Sequence, residues 1–235
     1  MVICMGIPRL TSEARRSAIV AAVTPLFARK GFAGATTREL AETAGISEGL
    51  LFKHFPNKDA LYQEILAQKS REGEAAFRRL QALEPGTASL IHLVHFLVYK
   101  FTHCEGQGGE NLNNRHRLVM HSLMEDGEFA ALVYEQVGKI GKPKFVACMK
   151  ESSRSGDLVS GACPADRAFW LMHHLATMLA MVRLSGKALA DVGDRQMKFV
   201  EETVLFLLRG IGLREEAIKL HYHPKILNAF LDPDT

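Results

Sequence analysis

The chain is poor in the residues that announce chemistry. Its four cysteines, Cys4, Cys104, Cys148 and Cys163, lie far apart and form no Cys-x-x-Cys pair, which argues against a zinc module. No His-Glu-x-x-His, P-loop or dinucleotide fingerprint occurs, so nothing points to catalysis and no cofactor is implied. Residues 1–8 are too short for a secretory signal and lack a cleavage site. The most apolar run, residues 168–184, contains His173, His174 and Arg183 and falls short of the roughly 20 residues needed to span a bilayer. A buried helix, no membrane partner, a cytoplasmic location and reduced thiols are therefore expected. Strand-like alternation and internal repeats are missing as well.

What is present is the composition of an ordinary globular protein, 47% apolar and 23% charged over 235 residues, long enough for one large or two unequal domains. Charge is unevenly placed. Of 29 Lys/Arg and 26 Asp/Glu, eight and five fall in residues 1–60, so the whole net charge of +3 lies there. A local positive excess is the electrostatic footprint of a phosphate-binding module.

That segment contains the most informative stretch, residues 36–58. Thr36 and Glu39 form a capping box, and Leu40, Ala41 and Ala44 give a one-sided apolar face. Gly45 suits a left-handed helix end, and Ile46 plugs the turn. Ser47 caps a second short helix whose Leu51 and Phe55 face inward, and Pro56 and Asn57 stop it. Helix, short glycine turn, helix is the geometry of a DNA-reading helix-turn-helix. A preceding helix over residues 12–30, with Ile19, Val23, Leu26 and Phe27 on one face and a kink expected at Pro25, would close a three-helix domain.

Gly31-Phe32, Ala35-Thr36-Thr37, Leu40-Ala41, Ala44-Gly45-Ile46-Ser47, Gly49, Leu51-Phe52, His54-Phe55 and Lys58 resemble the N-terminal domain of the TetR family of transcriptional regulators over residues 12–66. The resemblance implies an all-α homodimer that binds a pseudo-palindromic double-stranded DNA operator, most often as a repressor released by a small effector. It places DNA contacts at Thr36, Thr37, Ser47, Glu48, Gly49, Leu50, Phe52, Lys53, His54 and Lys58. Two readings stand for several of these. Thr36 either caps its helix alone or also meets a phosphate. Glu48 either accepts from a cytosine amine or only complements the helix N-terminus. Phe52 departs from the family's usual Tyr and cannot make its phosphate bond. Lys58 opens a helix, a poor place for a cation unless an anion is near. Arg9, Arg15 and Arg16 either approach phosphates or form a solvated helix start.

The expected organisation is a DNA-binding domain over 1–60, a connecting helix over 58–83 and a helical effector-binding and dimerisation domain over 84–235. Its helices are read at 87–104, 112–125, 128–154 (interrupted near Pro143), 164–185, 193–211 and 214–230. Residues 164–185 look apolar on most sides, and 193–211 carry a broad stripe. Either they form a larger monomeric core or they make a dimeric four-helix bundle, with Ala176, Ala180, Val200, Val204, Leu207 and Leu208 at the interface. The family resemblance implies a pocket here, and a largely apolar effector site is expected among Phe96, Tyr99, Lys100, Arg117, Met120, His121, Trp170, His173, His174 and Met178. Arg115, Arg117 or Lys100 could pair with an acidic head group. His92, His95, Tyr99 and His103 share one helix face. They read either as a polar surface or as a metal-binding row, and with the cysteines they leave a metal- or redox-sensing regulator as the alternative.

Overall fold

A computed structural model describes residues 11–67, 71–102, 106–184 and 196–231. Twelve helices follow in order among them: α1 (Ser12–Gly34), α2 (Thr37–Thr43), α3 (Glu48–His54), α4 (Lys58–Ala67), α5 (Arg71–Ala82), α6 (Thr87–Thr102), α7 (Gly106–Met124), α8 (Glu128–Arg154), α9 (Ala165–Arg183), α10 (Gln196–Gly210), α11 (Glu215–His221) and α12 (Pro224–Leu231). Extended structure among the described residues is limited to one isolated bridge, Leu158 to Leu213. The fold is all-α, in keeping with the helical periodicity, and no described helix is long and apolar enough to cross a membrane. Arg9 and Cys4 lie outside the described residues, as do His103 and Cys104.

The chain divides into two compact units, Met1–Lys69 with Arg117–Leu132, and Ser70–His116 with Val133–Thr235. This differs from the boundaries read from the sequence, which gave 117–132 to the second domain. The reason is packing. Phe129 is buried with its ring 4.4 Å from that of Tyr62 on α4, and Tyr62 in turn meets Phe27 and Phe32 at 5.2 and 4.9 Å. Gly31 has φ 72°, and a Cβ there would collide with the Glu125 carboxylate, so glycine lets the α7–α8 corner approach. The expected 58–83 helix is described as α4 and α5, with 68–70 between them outside the described residues.

In the first unit α1 buries Ile19, Val23, Leu26 and Phe27, the periodic face. Helical dihedrals run through Pro25, and the backbone breaks at Gly31 instead. Leu40, Ala41, Leu51, Phe55, Leu61 and Ile65 complete the core.

In the second unit α6 packs against α9, α10, α5, α11 and α12. Leu90, Ile91, Val94 and Val98 meet Phe169 and Met172 of α9, Val204 and Leu208 of α10, and Phe145 and Met149 of α8 in one apolar cluster. The proposed interface residues sit in this interior. Ala176, Val200, Val204 and Leu208 are 0% exposed, Ala180 3% and Leu207 4%, so they have no surface left for a partner. The close approach that the two alanines permit is used within the unit. Nor is α9 buried all round: Leu171, Leu175, Met178 and Val182 are exposed, at a spacing of one helix face.

Of the histidine row, His92 and His95 do not form the solvated polar face read from the sequence, and His103 lies outside the described residues. His95 is fully buried, with Nε2 2.7 Å from Asn228 Oδ1 of α12 and its ring stacked on Tyr99. His92 Nδ1 lies 2.8 Å from the Ala88 carbonyl, and its ring meets Phe230 edge-on. A short C-terminal helix covers what looked like a solvated face. Among the described residues no three His, Cys, Asp or Glu are grouped to hold a metal.

Candidate nucleic-acid interface

The helix-turn-helix is held by short-range polar bonds. The Thr36 hydroxyl accepts from the Glu39 N–H at 3.3 Å and donates to the Glu39 carboxylate, which also accepts from the Thr36 N–H at 3.1 Å. Both halves of the capping box are therefore closed. Lys30 donates to the other Glu39 oxygen at 2.5 Å. This bond, followed by those from Thr36, lowers the Glu39 carboxyl to about 2. Gly45 takes φ +66°, and the Ile46 N–H returns to the Ala41 carbonyl at 3.0 Å, closing α2. Ser47 accepts from the Leu50 N–H at 3.2 Å and starts α3, while Asn57 accepts from Ala60 at 2.7 Å and starts α4.

Because Leu51 and Phe55 turn inward, α3 presents Glu48, Gly49, Phe52 and Lys53 outward. Phe52 is 43% exposed. A Cβ on Gly49 would meet nothing within 4 Å, so the helix start is open to close approach. Leu50 and His54 are half-buried; Thr36 and Ser47 are exposed as caps.

Two expectations about this surface change. The Thr37 hydroxyl donates to the Glu48 carboxylate at 2.9 Å, tying the first turn of α2 to that of α3, so these two positions are coupled. Lys58 donates to the Phe32 carbonyl, and to that of Ala35 at 3.0 Å, and its ammonium lies 4.2 Å from the Phe32 ring centroid. Its place at a helix start is thus explained by the carbonyls ending α1, and no outside anion is required. Arg16 is likewise internal: it donates to the His54 carbonyl, pairs with Glu64 and lies 4.4 Å over Phe55. Arg38 pairs with Glu42 at 2.9 Å. Among the described residues, Lys53 is the one lysine or arginine of residues 36–58 without such a partner.

Residues 19–65 match the profile described as bacterial regulatory proteins, tetR family. The uncharacterized HTH-type transcriptional regulator YvkB of Bacillus subtilis is 32% identical over 83 residues, which cover 33% of this chain and 44% of YvkB. The HTH-type transcriptional regulator UidR of Escherichia coli is 27% identical over 63% of this chain and 70% of its own length. Among solved structures, FadR of Bacillus subtilis, crystallised with stearoyl-CoA, superposes with a TM-score of 0.60 at 15% identity, over 83% of this chain and 98% of FadR. Residues 19–65 thus form a helix-turn-helix domain of the TetR type.

The effector candidates read from the sequence divide between the two units. Arg117, Met120 and His121 belong to the first unit, where His121 lies near Gly31. Met178 is exposed on the apolar stripe of α9, and His174 is exposed with Nδ1 2.5 Å from the Trp170 carbonyl. Phe96 faces Phe77 at 6.0 Å and carries Lys100 at 5.6 Å. Trp170 and His173 come together with residues the sequence did not single out, Phe101, His116 and Tyr134. Phe101 stacks on His116 at 5.0 Å and meets His173 edge-on at 5.9 Å. Burial lowers both imidazoles to about 4. For His116 the neighbouring charges of Arg115, His173 and Lys100 add to the effect; for His173 that of His174 does. No periodic signal could have marked His116, because it sits in a polar run, residues 113–117, that reads as surface.

Proposed function

We infer that the chain is a DNA-binding transcriptional repressor that acts as a homodimer and is released by a small, largely hydrophobic effector held in the second unit. The observation that carries this is the outward arc of α3 on a fully capped helix-turn-helix. Glu48, Gly49, Phe52 and Lys53 are presented to a partner by a helix whose other side is locked into the core. An exposed helix of this kind enters the major groove with its first residues at base edges. Thr36, Thr37, Ser47, Leu50, His54 and Lys58 flank the arc and serve as backbone contacts or as its supports. Phe52 contributes apolar contact, the kind a thymine methyl accepts.

One recognition helix covers too little sequence to define a genomic site, so two-fold pairing follows. The exposed stripe Leu171, Leu175, Met178 and Val182, with Phe206 on α10, is the surface that a second copy covers. Effector release requires that the ligand bind the two states with different affinity.

Selection from random duplex DNA at low salt tests the reading. Enrichment of a two-fold-related site, with half-sites about 34–36 Å apart or a multiple of that, is expected. Failure to enrich any site would remove it. Leu175→Glu should yield monomers in sedimentation and lose affinity for the full site. A dimer that persists would move the interface elsewhere.

A further inference from the structure

The second unit holds a cation without a counter-charge beside polar atoms without partners. Arg115 is half-buried, and desolvation alone brings its guanidinium below the ordinary arginine range. Its hydrogen bond goes to a neutral group, the Gln136 side-chain oxygen at 3.1 Å, and among the described residues no carboxylate acts on it. Next to it in sequence, His116 is 5% exposed, and His173 on α9 is 6% exposed. The Nδ1 atom of each has no hydrogen-bond partner among the described residues. Phe101 links the two imidazoles, and Tyr134 and Trp170 surround His173 at 5.7 and 6.0 Å.

Buried polar atoms in folded proteins are nearly always satisfied, and an unpaired cation drawn out of water is costly. An anion supplies what this cluster lacks. A carboxylate takes a two-pronged bond from a guanidinium, and a neutral imidazole has one N–H to give it. The rings around the cluster call for an apolar body behind the anionic head. We propose that Arg115, with His116 and His173, receives the carboxylate of a hydrophobic monocarboxylic acid, whose hydrocarbon part lies against Phe101, Tyr134 and Trp170. This rests on the reading that the second unit binds an effector, and it names the class of that effector.

The chain has a single tryptophan, Trp170, so its fluorescence reports on this cluster without labelling. The full-length protein is titrated with straight-chain alkanoates of six to twelve carbons and with ω-phenylalkanoates, each beside its primary amide. The expected result is a saturable change in Trp170 emission with at least one acid and binding weaker by about tenfold or more for its amide. Arg115→Gln should lose the acid to a similar degree and leave amide binding unchanged, whereas Arg115→Lys keeps part of the preference. His116→Phe, which retains a ring against Phe101, should weaken acid binding alone. Amides that bind as well as acids, an Arg115→Gln variant that still prefers the acid, or no response to any acid would each overturn the assignment. DNA selection without ligand is independent of all these outcomes, so failure here leaves the repressor reading standing, and failure there leaves this one.

Discussion

The two units solve the same problem, satisfying polar groups in a small helical body, by different means. In the first, partners are mostly close in sequence: Thr36 with Glu39, Arg38 with Glu42, Lys30 with Glu39, Thr37 with Glu48. In the second, several of the partners that tie the helices together are far apart. Thr87 donates to Asp157 at 2.5 Å, His95 meets Asn228, and Arg79 donates to the carbonyls of Phe230 and Leu231 at 2.9 and 3.1 Å. Local satisfaction leaves the outward side of α3 rigid and available. Distant satisfaction leaves room for exceptions, and His116 and His173 are among them. A body that must present a fixed surface gains from the first arrangement, and one that must admit a ligand gains from the second.

The sharpest way to break the first unit is through its core. Phe55→Ala removes a ring that is 1% exposed and carries Arg16 at 4.4 Å, at a cost of about 3–5 kcal/mol. Urea unfolding should show an early transition, and DNA binding should vanish with it. A smaller loss would mean that Arg16 and Glu64 hold α3 without the ring.

The second unit should instead be broken by acid. Folded His116 and His173 titrate near 4, against an ordinary value of 6.5. As pH falls through that window the unfolded chain binds protons that the folded chain refuses, so stability declines with falling pH. By pH 5 the loss is about 2 kcal/mol per histidine. Unfolding midpoints measured from pH 7 to 5 should fall, and the fall should flatten in the His116→Gln, His173→Gln double variant. A flat wild-type profile would mean that these imidazoles are open to water. The comparison also predicts that the carboxyl of Glu39, already lowered to about 2, contributes no pH dependence in this range.

Smaller effects sharpen the local side. Thr36→Ala opens the capping box and should cost about 1 kcal/mol in chemical unfolding, while Thr36→Ser should cost far less. Equal losses would show that the Thr36 methyl matters more than its hydroxyl. Lys53→Ala should leave the unfolding midpoint in place, weaken binding across DNA sequences and reduce the salt slope by about 1. Lys58→Ala should lower both stability and binding, because its ammonium serves Phe32 and Ala35. Equal behaviour of the two lysines would dissolve the distinction between a presented cation and an internal one. Smallest of all, Arg38→Ala breaks an exposed pair and should leave unfolding unchanged.

The sequence by itself determined the all-α class, the capped helix-turn-helix and the inward positions of α1 to α4. Caps, glycine turns and apolar spacing act over a few residues, so their physics is complete within a short window. Gly45, Ser47, Leu51 and Phe55 do in the structure what their neighbours required of them. Everything set by long-range packing had to wait for the tertiary structure. Ala176, Val200 and Leu208 carry the composition of an interface and of a core alike, and only the placement of α6, α8, α9 and α10 made them core. The same placement left Leu171, Leu175 and Met178 outside. Lys58 looked in need of an anion until the end of α1 supplied two carbonyls. His95 looked solvated until α12 covered it, and His116 looked like surface until Phe101 and His173 closed around it. Apolar spacing says which side of a helix seeks cover. Only the other helices decide what provides it, and which polar groups are enclosed along the way.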